Sequence, residues 1–218
     1  MCIMQTDLKR LIAYSSVSHL GYVMLGIFAL NMQGFEGGIY QMLNHGVSTG
    51  GLFLIVGMIY ERRHTRMIAD FGGLSKVMPR LAAFFMIVTL SSIALPGTNG
   101  FVGEFLILLG AFRSNMLYGV LATTGVILGA VYMLWMFQRV MFGKITKEEN
   151  TRLTDLTKRE TVILCAIVLF VFLMGLYPGP FLKKMDASAT GYLKYMQAKT
   201  SVYKAAENVP PGRPADVK

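Results

Sequence analysis

The sequence predicts an all-α protein, a polytopic bundle of transmembrane helices with five spans. The 218 residues are 54% hydrophobic with a mean hydropathy of +0.51, and only 15% are charged, whereas soluble domains average about 25% charged residues. Five apolar runs also reach the roughly 20 residues that a helix needs to cross a bilayer, and Glu104 is their only formal charge. A backbone in hydrocarbon must satisfy its own hydrogen bonds, which runs of this length do as helices.

The five predicted spans cover residues 11–30, 38–60, 81–112, 114–138 and 161–182. The third run is too long for one straight span. Pro96, Gly97 and Gly100 lie in its middle, where proline and glycine break or kink a helix. The third element is therefore predicted to be a broken helix. Together the five spans make residues 1–182 a transmembrane domain.

The basic residues behind the net charge of +9 predict the orientation of the protein in the membrane rather than nucleic-acid binding. Thirteen bases lie in the N-terminal segment and in the loops after spans two and four, while the opposite loops contain only Arg113. Basic loops stay on the cytoplasmic side or its equivalent. The polar basic C-terminal tail, residues 183–218, then lies on the other side despite its seven bases. Its last stretch, Val209–Pro214, is predicted to be a disordered end.

Several kinds of site are excluded by the residues available. Cys2 and Cys165 are too few for a disulfide framework, a zinc site or an iron–sulfur cluster. No nucleophile–base pair, phosphate loop or dinucleotide-binding fingerprint occurs in the sequence. The chain itself is therefore predicted to hold no metal and no redox cofactor, and to perform no redox chemistry.

Spans one and two each carry a polar stripe with the spacing i, i+3, i+4, i+7. The stripes are Ser15, Ser18, His19 and Tyr22 in span one, and Gln41, Asn44, His45 and Ser48 in span two. Lipid offers no hydrogen-bond partners, so both stripes must face protein or water. We interpret the serines and Gln41 as interhelical packing contacts. His19 and His45 are better candidates for a proton relay, because histidine titrates near neutral pH.

Glu104 is the strongest single candidate for a functional site. An ionised carboxylate inside a membrane must be paired, hydrated or protonated, and this sensitivity suits a switchable proton site. The alternative is a permanently protonated glutamate of purely structural value. The predicted break lies four to eight residues earlier, and broken helices beside an ionisable residue recur in transporters. Lys9, at the basic mouth of span one, is either an interfacial lysine or a group that assists proton uptake.

Several motifs resemble the antiporter-like membrane subunits of respiratory complex I, the NADH-quinone oxidoreductase. The longest is Asp7–Gly21, with the sequence DLKRLIAYSSVSHLG; Asn44–Gly46, Leu95–Thr98 and Gly100–Phe105 follow in the family's order. The resemblance covers about residues 1–182. A glutamate rather than a lysine after the break is similar to the branch called subunit M or chain 4, whereas membrane-bound hydrogenase relatives are excluded less firmly.

The resemblance implies a fold of fourteen transmembrane helices with two inverted five-helix repeats, of which this chain would supply helices ten to fourteen. We therefore expect a C-terminal portion only: a truncated gene model, a split product or a partial chain. The resemblance also implies proton translocation through Glu104, His45, His19 and Lys9, driven by NADH oxidation and quinone reduction. NADH, FMN, iron–sulfur clusters and quinone would be bound by partner subunits.

The implied partners are other membrane-arm subunits, including paralogous antiporter-like subunits, in the bacterial inner membrane or alternatively the mitochondrial inner membrane. Two other hypotheses remain open at this point. The chain could be a subunit of a multisubunit sodium/proton antiporter or of a membrane-bound hydrogenase. It could also be a truncated, non-conducting subunit that only packs the membrane arm.

Overall fold

The structure, a computed structural model, describes residues 2–207, so the predicted disordered end at Val209–Pro214 lies outside the described residues. Seven α-helices make up most of this part of the chain. They are α1 (Leu8–Phe28), α2 (Met32–Arg63), α3 (Pro79–Ser92), α4 (Asn99–Ser114), α5 (Met116–Met141), α6 (Lys158–Leu176) and α7 (Gly179–Glu207). Short 3-10 turns occupy parts of the loops. The all-α prediction is confirmed.

Four of these helices, α1, α2, α5 and α6, are individually long and apolar enough to cross a membrane, and α3 is a shorter apolar helix. Helix α2 is longer than the predicted span 38–60, because Asn31 caps its N-terminus by accepting a hydrogen bond from the Gly34 backbone N–H. Capping starts the helix before its apolar part, and polar residues such as Glu36 fall within its first turns.

The predicted broken helix is confirmed: helices α3 and α4 are separated by six residues, 93–98. Gly97 adopts a left-handed backbone conformation with φ of +92°, which a residue without a Cβ adopts at little cost. Helix α4 then begins close to the end of α3. A Cβ on Gly100 would overlap the backbone carbonyl oxygen of Ser91, so a glycine is needed for this approach.

The predicted fifth span, 161–182, contains the ends of two helices. Helix α6 ends at Leu176, because Pro178 disfavours helical geometry at the residue before it and lacks an N–H group. A new helix, α7, begins at Gly179 and contains the part of the predicted polar tail up to residue 207. Helix α7 packs against the start of α2, where the rings of Phe35 and Tyr192 stack with their centres 4.9 Å apart.

The apolar core lies toward the side that carries the basic loops. It includes Leu11 on α1, Leu52 and Ile55 on α2, Phe85 on α3 and Phe137 on α5, all buried. The loops after α2 and after α5 lie against each other on this side. The Gly73 N–H donates to the Phe142 carbonyl oxygen at 2.9 Å, and the Asp155 carboxylate accepts from the first backbone N–H groups of α3. This contact agrees with the shared membrane face that their basic residues predict.

Candidate functional site

The polar stripes of α1 and α2 face the interior, where α1, α2 and α4 meet. On α1, Ser15, His19 and Tyr22 are buried while Leu20 and Met24 are exposed. On α2, the buried stripe residues are Gln41, Asn44 and Ser48. The helical periodicity that predicted the two stripes therefore holds, with Ser18 as an exposed exception.

Glu104 lies at the meeting point of these helices and is only 3% exposed. Its Oε1 atom lies 2.9 Å from Nδ1 of His19 on α1 and 3.1 Å from Nε2 of Gln41 on α2, which donates an amide N–H to it. Among the described residues no other side chain reaches this carboxylate. The acid is thus held by one titratable partner and one neutral donor from two different helices.

Gln41 is itself held in place by Asn44, whose side-chain Nδ2 donates to Gln41 Oε1 at 3.2 Å. The two amides lie against the backbone of α4 at Gly103. A Cβ on Gly103 would overlap Gln41 Oε1 and would lie 2.9 Å from Asn44 Nδ2. The glycine that precedes Glu104 in the sequence therefore makes room for the amide that binds Glu104.

His45 on α2 lies near His19. The two imidazole rings are 5.8 Å apart between centres and tilted by 42°, which is too far for a direct hydrogen bond. His45 is half-buried and its Nδ1 lies 3.0 Å from Thr49 Oγ1. His19 Nε2 is buried and has no hydrogen-bond partner within the part of the chain that the structure describes.

A small polar cavity of about 10 Å³ adjoins both histidines, a volume comparable to one water molecule. It is lined by His19, Gln41, Asn44, His45, Ser48, Thr49, Ser91, Ser92 and Gly100. The cavity therefore connects the histidine pair to the end of α3, where the helix breaks.

A second polar cluster ties the break to α2. Ser91, at the end of α3, donates to Asn99 Oδ1 at 2.5 Å and lies 2.7 Å from Ser48 Oγ on α2. Asn99 Nδ2 in turn lies 3.2 Å from Ser48 Oγ and 3.3 Å from the Asn44 carbonyl oxygen. The backbone on both sides of the break is thus bonded to the helix turn that carries Asn44 and Ser48.

The structure separates Lys9 from this group. Lys9 is exposed and lies ten residues before His19 on α1, a distance of about 15 Å along a helix that rises 1.5 Å per residue. It borders a larger cavity on the basic side, which Tyr60 and Arg66 also line. Of the predicted proton-site residues, Glu104, His19 and His45 are close together and Lys9 is not.

Two amide residues of the site, Gln41 and Asn99, were not predicted from the sequence to belong to it. Gln41 was interpreted as a packing residue, yet it binds Glu104 directly, and Asn99 was not singled out. The available signal was the position of Gln41 in the same stripe as Asn44 and His45. Within the described residues, no group of three or more His, Cys, Asp or Glu side chains is arranged to hold a metal ion.

The arrangement places a titratable acid and a titratable base within hydrogen-bond distance. His19 and Glu104 share one hydrogen-bond axis, and a proton on that axis gives either an imidazolium–carboxylate pair or two neutral groups. Burial removes the water that would otherwise buffer the change of charge. Helix packing holds both groups in place.

Residues 1–129 match the sequence profile of the family described as NADH:quinone oxidoreductase/Mrp antiporter, TM. Curated relatives include NADH-quinone oxidoreductase subunit M of Rhodobacter capsulatus, 52% identical over 82% of this chain and 35% of the relative. Another is NADH-ubiquinone oxidoreductase chain 4 of Marchantia polymorpha, 45% identical over 88% of this chain and 39% of the relative. The chain spans less than two fifths of the length of these relatives.

Solved structures agree with these matches. A chain of respiratory complex I from Thermus thermophilus with bound NADH has a TM-score of 0.82 and 38% identity, over 88% of this chain and 40% of that one. The Mrp complex from Dietzia sp. matches with a TM-score of 0.77 at 19% identity, over 88% of this chain and 45% of that one, which shows a shared fold. The expected resemblance is confirmed, and the profile and apolar helices identify an integral membrane protein.

Proposed function

This chain belongs to the family of transmembrane subunits of NADH:quinone oxidoreductases and Mrp antiporters, and from this premise we propose that it is a proton-translocating membrane subunit of an NADH-quinone oxidoreductase. NADH oxidation and quinone reduction take place in partner subunits. The energy released there drives proton transport across the membrane through this subunit.

The observation that carries the proposal is the buried pair of Glu104 and His19. Their hydrogen-bonding atoms are 2.9 Å apart in the helix interior, and a buried ionisable residue in a membrane protein indicates an ion or proton pathway. Gln41 stabilises the ionised carboxylate, and His19 supplies or receives the proton. In this proposal Glu104 is the proton site nearest the exit.

His45 extends this pathway across the cavity that both histidines line. Since the imidazole rings do not touch, proton transfer between them requires a water molecule in the cavity. Pro96, Gly97 and Gly100 contribute by ending α3 and starting α4 beside this cavity. Lys9 assists proton uptake from the basic side, where it is exposed.

In this proposal the partner subunits supply the redox chemistry, with NADH, FMN, iron–sulfur clusters and quinone. The neighbours of this chain are other membrane-arm subunits, including paralogous antiporter-like subunits. The membrane is the bacterial inner membrane, with the mitochondrial inner membrane as the alternative, because relatives come from bacteria and from a plant.

Glu104→Gln and Glu104→Asp test the proposal in the assembled complex in membrane vesicles, with NADH-driven proton pumping measured by a pH-sensitive dye. Glutamine keeps the size of the side chain but cannot exchange a proton, so we expect pumping to fall at least about tenfold. Aspartate keeps the carboxyl group and should retain more activity. Normal pumping by an assembled Glu104→Gln complex would contradict the proposal.

The family also includes Mrp antiporters, so sodium/proton antiport or hydrogenase coupling is the alternative function with the same helices. The neighbouring subunits separate these functions: a quinone-site subunit, a hydrogenase large subunit or antiporter partners. A non-conducting structural role is separated by the Glu104 variants themselves. In that case both variants would pump like the wild type once assembled.

A further inference from the structure

We propose that the side-chain amides of Gln41 and Asn44 form a protonation-dependent switch, which reports the state of Glu104 to the cavity between His19 and His45. This inference rests on the proposed function, since it assumes that Glu104 gains and loses a proton. Gln41 and Asn44 act as positioning residues and carry no proton themselves. The switch is a half-turn of two amide groups.

The hydrogen bonds of this group fit an ionised Glu104. An ionised carboxylate only accepts hydrogen bonds, so Gln41 presents its NH₂ group to Glu104. Its carbonyl Oε1 must then face Asn44, from which it accepts. This arrangement leaves Asn44 Oδ1 buried without a hydrogen-bond partner in the described chain. A buried polar atom without a partner is rare and requires an explanation.

Protonation of Glu104 reverses every donor and acceptor in this chain of bonds. In the proposed switch the proton binds at Oε1, the oxygen that Gln41 contacts, so the O–H group donates toward Gln41 and Gln41 turns its carbonyl oxygen to accept it. The NH₂ group of Gln41 turns to Asn44 and requires an acceptor there, so Asn44 turns Oδ1 toward it. The Asn44 NH₂ group then takes the place that Oδ1 occupied. No covalent bond changes, and the number of hydrogen bonds is conserved.

The turn of the Asn44 amide changes the polar groups that line the cavity, because Asn44 lines it together with His19 and His45. While Glu104 is ionised, the free group of Asn44 is an acceptor, which favours a proton-bearing histidine nearby. Once Glu104 is protonated, the free group is a donor, which favours a neutral histidine. The amide pair therefore disfavours simultaneous protonation of Glu104 and a cavity histidine. Protons then move through the site one at a time.

The backbone around the switch is well suited to hold two side-chain states. Helices α2 and α4 approach so closely at Gly103 that a Cβ there would overlap Gln41 Oε1. The Asn44 carbonyl oxygen also accepts from Asn99 at the start of α4. These contacts hold α2 and α4 together beside the two amides, so the proposed switch requires only that the amide groups rotate.

The other titratable groups around Glu104 are His19 and Tyr22 on α1, His45 on α2 and Tyr132 on α5. The Tyr22 hydroxyl donates to the Ala122 carbonyl oxygen at 2.5 Å and is therefore committed elsewhere. The two histidines are therefore the groups that the proposed switch couples to Glu104.

Infrared difference spectra of the assembled, reconstituted complex across a pH titration test the switch. The carboxylic acid band of Glu104 is assigned by its loss in Glu104→Gln, and the side-chain amide bands by ¹⁵N labelling of glutamine and asparagine. We expect amide bands that change together with the Glu104 band in the wild type. In Gln41→Met and Asn44→Leu, which keep size but lack the amide, the coupled change should vanish and pumping should fall about fivefold.

Thr89→Val is the matched control, because Thr89 is also fully buried with a hydroxyl that no described residue bonds. It should leave both the spectra and pumping unchanged. Amide bands that stay constant while wild-type Glu104 titrates would overturn the switch. Normal pumping in Gln41→Met beside a defective Glu104→Gln would reject the switch and leave the proposed function standing.

Discussion

Two acid–base pairs lie along helix α2, Arg62–Glu160 at its C-terminal end and His19–Glu104 beside its first half, and they are built differently. Arg62 binds both carboxylate oxygens of Glu160, at 2.8 and 2.7 Å. His19 binds a single oxygen of Glu104 at 2.9 Å. Both pairs are largely shielded from solvent, so burial alone does not distinguish them.

The Arg62 pair uses every available donor. The guanidinium group donates to both Glu160 oxygens and to the carbonyl oxygens of Met58, Thr154 and Asp155, which accounts for all five of its N–H groups. Arginine does not deprotonate in proteins. This pair therefore has one state, and it joins the end of α2 to the loop before α6.

The His19 pair leaves groups unused. His19 Nε2 and the neighbouring Asn44 Oδ1 are buried and have no hydrogen-bond partner among the described residues, and both histidine and glutamate exist in two protonation forms. A pair whose hydrogen-bonding groups all have partners stabilises one structure. A titratable pair with unused hydrogen-bonding groups has a second state available. We propose structure as the role of the first pair and proton movement as the role of the second.

Matched Glu→Gln substitutions in the two pairs give the largest expected contrast. Glu104→Gln should reduce pumping at least about tenfold with little change in thermal stability. Glu160→Gln should lower the free energy of unfolding by about 1–3 kcal/mol, because the Arg62 charge loses its counter-charge, while pumping per assembled complex stays near that of the wild type. Pumping assays and thermal denaturation of both purified complexes check this. If the two variants changed pumping and thermal stability equally, the two pairs would not differ in role.

His45→Ala tests whether the second histidine takes part in proton movement at the interior pair. The substitution removes the second imidazole, 5.8 Å from that of His19, and we expect pumping to fall about tenfold with normal assembly because a proton relay is interrupted. Dye-based pumping and native gel analysis of the complex measure the two effects. Loss of assembly with normal pumping in the remaining complex would instead assign His45 to helix packing.

Gly103→Ala tests whether the interior pair depends on the close approach of α4 to α2. The added Cβ would displace the Gln41 amide from Glu104, so we expect a loss of pumping of about threefold. Gly46→Ala is the control, since a Cβ there meets nothing within 4 Å and alanine favours a helix. Equal pumping rates in the two variants would show that the amide position is unimportant.

Lys9→Met tests a residue outside the interior site and should reduce the pumping rate least among these variants. Lys9 is exposed and about 15 Å along α1 from His19, so we expect less than about a twofold decrease in the pumping rate. The decrease should be larger at low ionic strength, where charges on the surface act over longer distances. A loss as large as that of His45→Ala would place Lys9 in the relay itself.

Much of the fold could be predicted because membrane helices are specified by local properties. Apolar runs of sufficient length, proline and glycine in the third run, and the spacing of Ser15, His19 and Tyr22 all act within one helix. Hydropathy continues through Pro178 to the end of the predicted span at residue 182, whereas helix α6 ends at Leu176. Hydropathy measures transfer into lipid, and it is insensitive to where a helix ends.

Helical periodicity and the exclusion of charge from lipid are local constraints, so the sequence predicted most of the side chains that face the interior, Ser18 excepted, and the carboxylate of Glu104 among them. Only the tertiary structure decided that Gln41, rather than Asn44 or Ser48, binds Glu104 beside His19, and that Lys9 stands apart. Hydrogen bonds between helices depend on how neighbouring helices are rotated and shifted against each other. Here the close approach of α4 to α2 at Gly103 sets that register.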